Sequence, residues 1–312
     1  MKLGMVDLDT SHPRGWLPIL REMGHDVVCV FDGGTVFPEG YAQEFAEEMN
    51  VQAVCASPDE MVGQVDAAIV HSCNWDLHVE RARPFVEADV PVLIDKPIVG
   101  NVRDAHVLMG WAEEGKVVTG GSSLRYCYET QDFLAKPAEE TAEIHVAFAG
   151  CGVDEFNYGI HAFSNLFGLM GVGCERVRWL GTYVQDQYEL TWEDGRRGIV
   201  TVGRTETWLP SYATVVTARK VVQFQVDTTR IYRALLEHDL PVLAREAPPM
   251  PTGELLEPEL AAIAGLASRG RNGEPVALAE LDPEDTGYVG AAFAREYRDN
   301  RLPKYLEAKD RK

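Results

Sequence analysis

The sequence predicts an α/β protein: a doubly wound parallel sheet, then a second α/β domain with an open, mostly antiparallel sheet. Three observations lead there. Up to about residue 125 the chain alternates short strands with helical segments, and those strands are apolar on both faces, as strands covered by helices on either side must be. Later strand-like segments alternate polar and apolar residues, the pattern of a sheet with one covered face. At 312 residues the chain is also longer than one core normally organises.

The elements of the first half follow in order. Lys2–Val6 is a short apolar strand, and a helix over Trp16–Met23 ends at Gly24, which tolerates a left-handed cap. Strand Asp26–Phe31, helix Gly40–Met49, strand Gln52–Cys55 and a short helix Pro58–Val62 come next, the last opened by Ser57 as N-cap. Strand Asp66–His71 leads to an amphipathic helix over Trp75–Glu87, which Pro84 is expected to kink or restart. The run Val90–Pro97 is a buried strand that stops at Asp95, Lys96 and Pro97, and helix Val102–Glu114 and strand Lys116–Thr119 complete the series. This is a Rossmann-type domain over residues 1–125.

Residues 126–312 are expected to form the second domain, with helices toward its C-terminus. Its strands are expected at Ala142–Ala149, Arg176–Tyr183, Tyr188–Trp192, Gly198–Val202, Ala213–Ala218 and Val221–Gln225, with a hairpin turn at Glu193–Arg196. Between the first two lies a helix over Tyr158–Met170, with Ile160, Phe163, Phe167 and Met170 on one face. Helices are also expected at Ile231–Glu237, Glu257–Ser268 and near Tyr288–Tyr297, with a proline-rich linker at Pro248–Pro251.

A net charge of −20 argues against nucleic acid or an anionic membrane as partner, since either would be repelled. Without a signal-peptide pattern or an apolar stretch long enough for a bilayer, a cytoplasmic protein is expected. Six cysteines without a Cys-x-x-Cys pair point to reduced, mostly buried thiols rather than a zinc or disulfide framework.

Lys96 ends a parallel strand, where ligands of open α/β sheets bind. The turn after the first strand should carry the glycine-rich dinucleotide fingerprint, but reads Asp7-Leu8-Asp9-Thr10-Ser11-His12. Thr10, Ser11 and the amides that open the next helix can hold phosphate oxygens. Asp7 and Asp9 oppose this, because a carboxylate about 5 Å from a phosphate costs roughly 3 kcal/mol at an effective dielectric near 20. Asp7, Asp9 and His12 are also competent metal ligands, but with no remote fourth ligand in view no metal is expected. Asp32 ends the second strand, where an acid accepts hydrogen bonds from an adenosine ribose and favours NAD over NADP. Ser72 belongs to the same cofactor-facing row of strand ends. Ser123, Arg125 and Tyr158 are candidate substrate ligands, although an arginine at the junction can equally tie the domains together.

Asp95-Lys96-Pro97, the earlier Asp76–Glu80 stretch and Gly159-Ile160-His161 together resemble the Gfo/Idh/MocA oxidoreductases. Asp9-Thr10-Ser11-His12 and Ser122–Tyr126 resemble an atypical branch without the full glycine fingerprint. The resemblance implies NAD(P)-linked chemistry on a hydroxyl or carbonyl of a sugar, polyol or related molecule, in a homodimer or homotetramer. It assigns catalysis to Lys96 and His161, and the cofactor to residues 9–12, Asp32, Ser72, Asp95 and Lys96. Where the family usually has aspartates around the histidine, this chain has Asn157 and Ser164, so Asn157 is expected only to orient His161. Two alternatives stand beside this reading: a catalytically degenerate ligand-binding protein, and an enzyme that oxidises transiently to drive elimination, isomerisation or glycoside cleavage.

Overall fold

The computed structural model describes residues 1–310. The first sheet takes β1 (Lys2–Val6), β2 (Asp26–Phe31), β3 (Ala53–Val54), β4 (Ala67–Val70), β5 (Val92–Asp95) and β6 (Val118–Gly121). All six are parallel in the order β3-β2-β1-β4-β5-β6, so the strand order reverses between β1 and β4. That reversal opens a crevice at the carboxyl ends of the strands, above Asp7, His71 and Asp95.

The crossovers are α1 (His12–Glu22), α2 (Tyr41–Met49), α3 (Pro58–Met61), α4 (His78–Glu87) and α5 (Val102–Glu113). Local chemistry sets their starts: the Ser57 hydroxyl accepts the Glu60 amide, and the Asn101 side-chain oxygen accepts that of Asp104. Helix α1 begins four residues earlier than the apolar spacing indicates, because Pro13 is compatible with a first turn. Pro84 lies inside α4 without restarting it, and the first residues expected in this helix, Trp75–Leu77, form a 3₁₀ turn instead.

After the 3₁₀ turn Ser123–Tyr126 come α6 (Tyr128–Leu134), α7 (Ala138–Thr141), β7 (Ile144–Gly152) and α8 (Gly159–Met170). Strands β8 (Cys174–Thr182), β9 (Asp186–Trp192), β10 (Arg197–Val202), β11 (Leu209–Thr217) and β12 (Val221–Gln225) follow. Next are α9 (Ile231–Leu243), α10 (Thr252–Leu255), α11 (Glu257–Gly270), β13 (Val276–Ala277) and α12 (Gly290–Asp310). The second sheet runs β12-β11-β7-β10-β9-β8-β13, with only the β7–β10 pair parallel. One face is covered by α8 and α11, whose Phe163, Phe167, Ala261 and Ala264 share a core with Ala147, Val177 and Val215. The opposite face exposes Phe148, Leu180 and Val221.

Helix α8 is buried almost all round. It lies against the turn Ser123–Tyr126 so closely that a Cβ on Gly168 would stand 2.4 Å from the Arg125 carbonyl oxygen. That approach joins the two sheets. Helix α9 returns to the first: Leu235, Leu236, Leu240 and Leu243 pack with Leu3, Trp16 and Leu20. Both α9 and α12 run past their expected ends, through Pro241 and Pro303. All six cysteines are free and buried.

Candidate active site

A cavity of about 260 Å³ opens between the sheets, lined by Ser11, His12, Tyr158, His161, Trp208 and Tyr232 among others. Lys96, at the end of β5, lies against Tyr158, one of the lining residues. Its Nζ donates to the Asn157 carbonyl oxygen at 3.0 Å and to Asn157 Oδ1 at 3.2 Å, and it stands 5.0 Å from the centre of the Tyr158 ring. Burial pulls the Lys96 ammonium below its ordinary pKa, against the opposing pull of Asp95 and Asp154.

His161 projects from the first turn of α8, with Nδ1 2.7 Å from Ser122 Oγ. Burial, then the charges of Lys96 and His12, hold its pKa well below the usual imidazole range. The expected partnership between Asn157 and His161 is therefore corrected. Asn157 precedes α8, so helical spacing does not apply to it, and both its oxygens serve Lys96. Ser122 holds the imidazole instead. This pairing was missed because it joins residues 39 positions apart through the α8 contact.

Asp95 also departs from its expected cofactor role. Its Oδ2 receives His12 Nδ1 at 2.5 Å and His71 Nδ1 at 3.0 Å, while Oδ1 accepts the Lys96 amide at 2.7 Å. Burial alone would raise its pKa, but the two imidazoles, His12 foremost, hold it well below the carboxylate range. His12, His71 and Asp95 are close enough to hold a metal ion. The observed contacts are hydrogen bonds, in which each Nδ1 is engaged with the carboxylate. His12 is fixed further by stacking on Trp16, ring centres 5.7 Å apart, and by the edge of Tyr232 at 5.1 Å.

Arg125 acts as a tie across the chain: its guanidinium donates to the carbonyl oxygens of Glu254 and Leu255. Ser123 is buried in the adjoining turn. Tyr158 and Ser11 do face the cavity, whereas the Thr10 hydroxyl accepts the His12 amide at 3.1 Å.

The feared repulsion at the first turn is largely relieved. Asp7 has φ 62° and is fully buried; its carboxylate accepts from the Gly33 amide at 2.8 Å and from the Ser72 hydroxyl, and pairs with Arg81 at 3.2 Å. A side chain at Gly33 would collide with this arrangement, its Cβ 2.6 Å from Arg81 Nη2. Asp9 accepts the Cys73 amide at 2.9 Å, while its other oxygen is buried without a partner among the described residues. Burial, then the Asp7 charge, raises its pKa to about 8, so it is mostly protonated at neutral pH.

A stability prediction follows. A carboxyl whose folded pKa lies above its unfolded value contributes stability that is complete below about 3.8 and lost as pH rises through about 8. Asp9→Asn keeps the acceptor for Cys73 and removes this loss. The variant should gain melting temperature over the wild type progressively between pH 5 and pH 9; a constant difference across that range, by calorimetry, would show that Asp9 ionises as freely folded as unfolded.

Residues 13–121 match the model of the oxidoreductase family with NAD-binding Rossmann fold, Gfo/Idh/MocA. The first domain is similar to the NAD-binding Rossmann fold of that family. A probable dehydrogenase from Thermotoga maritima superposes with a TM-score of 0.78 at 15% identity, covering 90% of this chain and 100% of that one. A scyllo-inositol dehydrogenase from Lactobacillus casei, solved with NAD(H) and scyllo-inositol, superposes with a TM-score of 0.73 at 13% identity, covering 89% and 99%. At these identities the likeness establishes the fold of the whole chain. A protein of Amycolatopsis mediterranei, a candidate UDP-kanosamine synthase oxidoreductase subunit, is 27% identical over 127 residues, or 40% of this chain and 34% of its own length.

The crevice bears directly on whether a dinucleotide fits. Its two ends fit. Asp32, pushed up to about 6 by burial, accepts the Leu8 amide and lines a pocket of about 330 Å³ with Gly34, Tyr41 and Ala56, suited to an adenosine. The cavity that His161 lines, at the other end, has room for a nicotinamide. Between them the chain covers its own groove: Val36 is fully buried against Cys73 and Ala294, with Phe37, Phe293 and Tyr297 around them. Helix α12 is fastened at one end by Asp76, which accepts the Gly290 and Ala291 amides. At the other, Tyr305 and Lys309 reach Glu44. A dinucleotide would occupy the tract only with the 33–38 loop and α12 displaced from these contacts.

Proposed function

We propose that this chain is an NAD-dependent oxidoreductase that interconverts a hydroxyl and a carbonyl on a sugar, polyol or related small molecule. The observation that carries the reading is that Lys96, from the first sheet, rests on Asn157 and against Tyr158 beside the cavity that Tyr158 and His161, from the second, help to line. Bound nicotinamide supplies the hydride acceptor or donor. The chain supplies the rest. Lys96, held by Asn157, directs its remaining N–H toward the reacting oxygen and stabilises the alkoxide that develops there. His161, neutral and braced by Ser122, orients the same hydroxyl, whose proton passes to an imidazole of the cavity. The apolar rings of Trp208, Tyr158 and Tyr232 limit water around it.

Titration of the purified protein with NADH and NADPH, followed by nicotinamide fluorescence, tests the cofactor assignment. NADH should bind more tightly, because a 2′-phosphate would meet the Asp32 carboxylate. Equal or tighter NADPH binding would remove the ribose role of Asp32.

The uncovered face of the second sheet, with Phe148, Leu180 and Val221, fits a second copy of the same face. Light scattering at micromolar concentration should give a dimer or a dimer of dimers, and a monomer would contradict this.

A further inference from the structure

We infer that His12, oriented by Asp95, is the residue that exchanges a proton with the reacting hydroxyl of the substrate. The inference rests on the oxidoreductase reading and specifies its acid–base group. Two imidazoles line the cavity, and their surroundings differ. His161 faces the Lys96 ammonium and has a hydroxyl rather than a carboxylate behind its ring, and burial and that ammonium outweigh the more distant Asp95. His12 has a buried carboxylate behind Nδ1, at 2.5 Å, and its ring is clamped between Trp16 and Tyr232. Its Nε2, on the opposite edge, has no partner among the described residues and is not sealed from the cavity.

The carboxylate is itself held. His71, wholly buried, gives Asp95 a second imidazole, and the Lys96 amide occupies the other oxygen. The groups facing His12 are therefore Asp95 from β5, His71 from β4, His161 from α8 and Tyr232 from α9. A hydrogen bond from Nδ1 to a fixed carboxylate leaves Nε2 as the basic nitrogen and stabilises the imidazolium once formed.

In the oxidative direction the substrate O–H bond breaks and its proton goes to His12 Nε2. The O–H electron pair becomes the second C–O bond, and the hydride from the same carbon leaves for oxidised nicotinamide. Reduction reverses each movement. Asp95 touches no reacting atom and is a positioning residue.

The test compares wild type, His12→Gln, His12→Ala and Asp95→Asn in steady-state turnover on a panel of inositols, sugars and their keto forms with NAD(H). His12→Gln keeps an N–H for Asp95 but cannot accept the proton, and should lose at least about a hundredfold in kcat with KM changed only a few-fold. His12→Ala should lose as much and recover tenfold or more with added imidazole, a response that a structural role would not produce. Asp95→Asn should lower kcat and leave KM near the wild-type value. Wild-type turnover with His12→Gln within threefold of it, or a His12→Ala loss that imidazole does not relieve, overturns the dyad and leaves the oxidoreductase reading standing. A wild type that binds NADH but converts no panel member overturns that reading, and the dyad falls with it.

Discussion

Replacing Lys96 by alanine is expected to lower turnover at least about a hundredfold, the scale of a lost electrostatic group at a developing alkoxide. Lys96 links the two domains: its chain leaves β5, and its ammonium rests on Asn157, ahead of α8. The loss should appear chiefly in kcat, since the ammonium gains most as the hydroxyl becomes an alkoxide. Circular dichroism should show an unchanged fold, because the lysine is only half-buried and its side chain is not part of either core. Asn157→Asp, which the sequence alone would commend as a way to activate His161, should instead tighten the hold on Lys96. Its outcome is a lysine drawn toward residue 157 and a slower enzyme, measured in the same assay.

Loosening α12 is expected to tighten cofactor binding. The helix covers the dinucleotide tract through few buried side chains: Ala294 is buried, and Phe293, Tyr297 and Tyr305 are half-buried. When only a fraction of molecules is open, the apparent dissociation constant rises by the inverse of that fraction. Tyr305 stacks edge-on against Phe37 and Tyr41, both ring centres 5.4 Å away, and also bonds to Glu44. Aromatic pairs of this kind contribute about 1 kcal/mol each beyond burial, so Tyr305→Ala should shift closure enough to tighten NADH binding about tenfold. Calorimetric titration checks it. Unchanged affinity would mean that the tract opens without moving α12, and weaker affinity would make Tyr305 part of the binding surface.

The parallel sheet was readable because buried strands such as Ala67–Val70 and Val92–Asp95 are apolar on both faces, and alternation exposed the second sheet equally well. The ends of α9 and α12 were not readable. Proline usually breaks a helix, yet Pro241 and Pro303 are accommodated within them. Lys96 and His161 stood out by position and by resemblance. Their partners did not: Ser122 meets His161 only through the close approach at Gly168, and His12 meets Asp95 across the strand order of the sheet. Asp7 and Asp9 read as repulsive because sequence reveals neither the Arg81 partner nor the burial that keeps Asp9 protonated. The substitution of histidine and aspartate for glycines in the first turn was the one available signal that the site had been rebuilt there.

The most direct measurement is NADH formation or consumption by the purified full chain across the panel of inositols, sugars and keto forms, run beside Lys96→Ala. Conversion of at least one member by the wild type, reduced a hundredfold or more in the variant, is the predicted result. Saturable binding of NADH and of a panel member without any hydride transfer would contradict it and make the protein a ligand-binding module on an oxidoreductase fold.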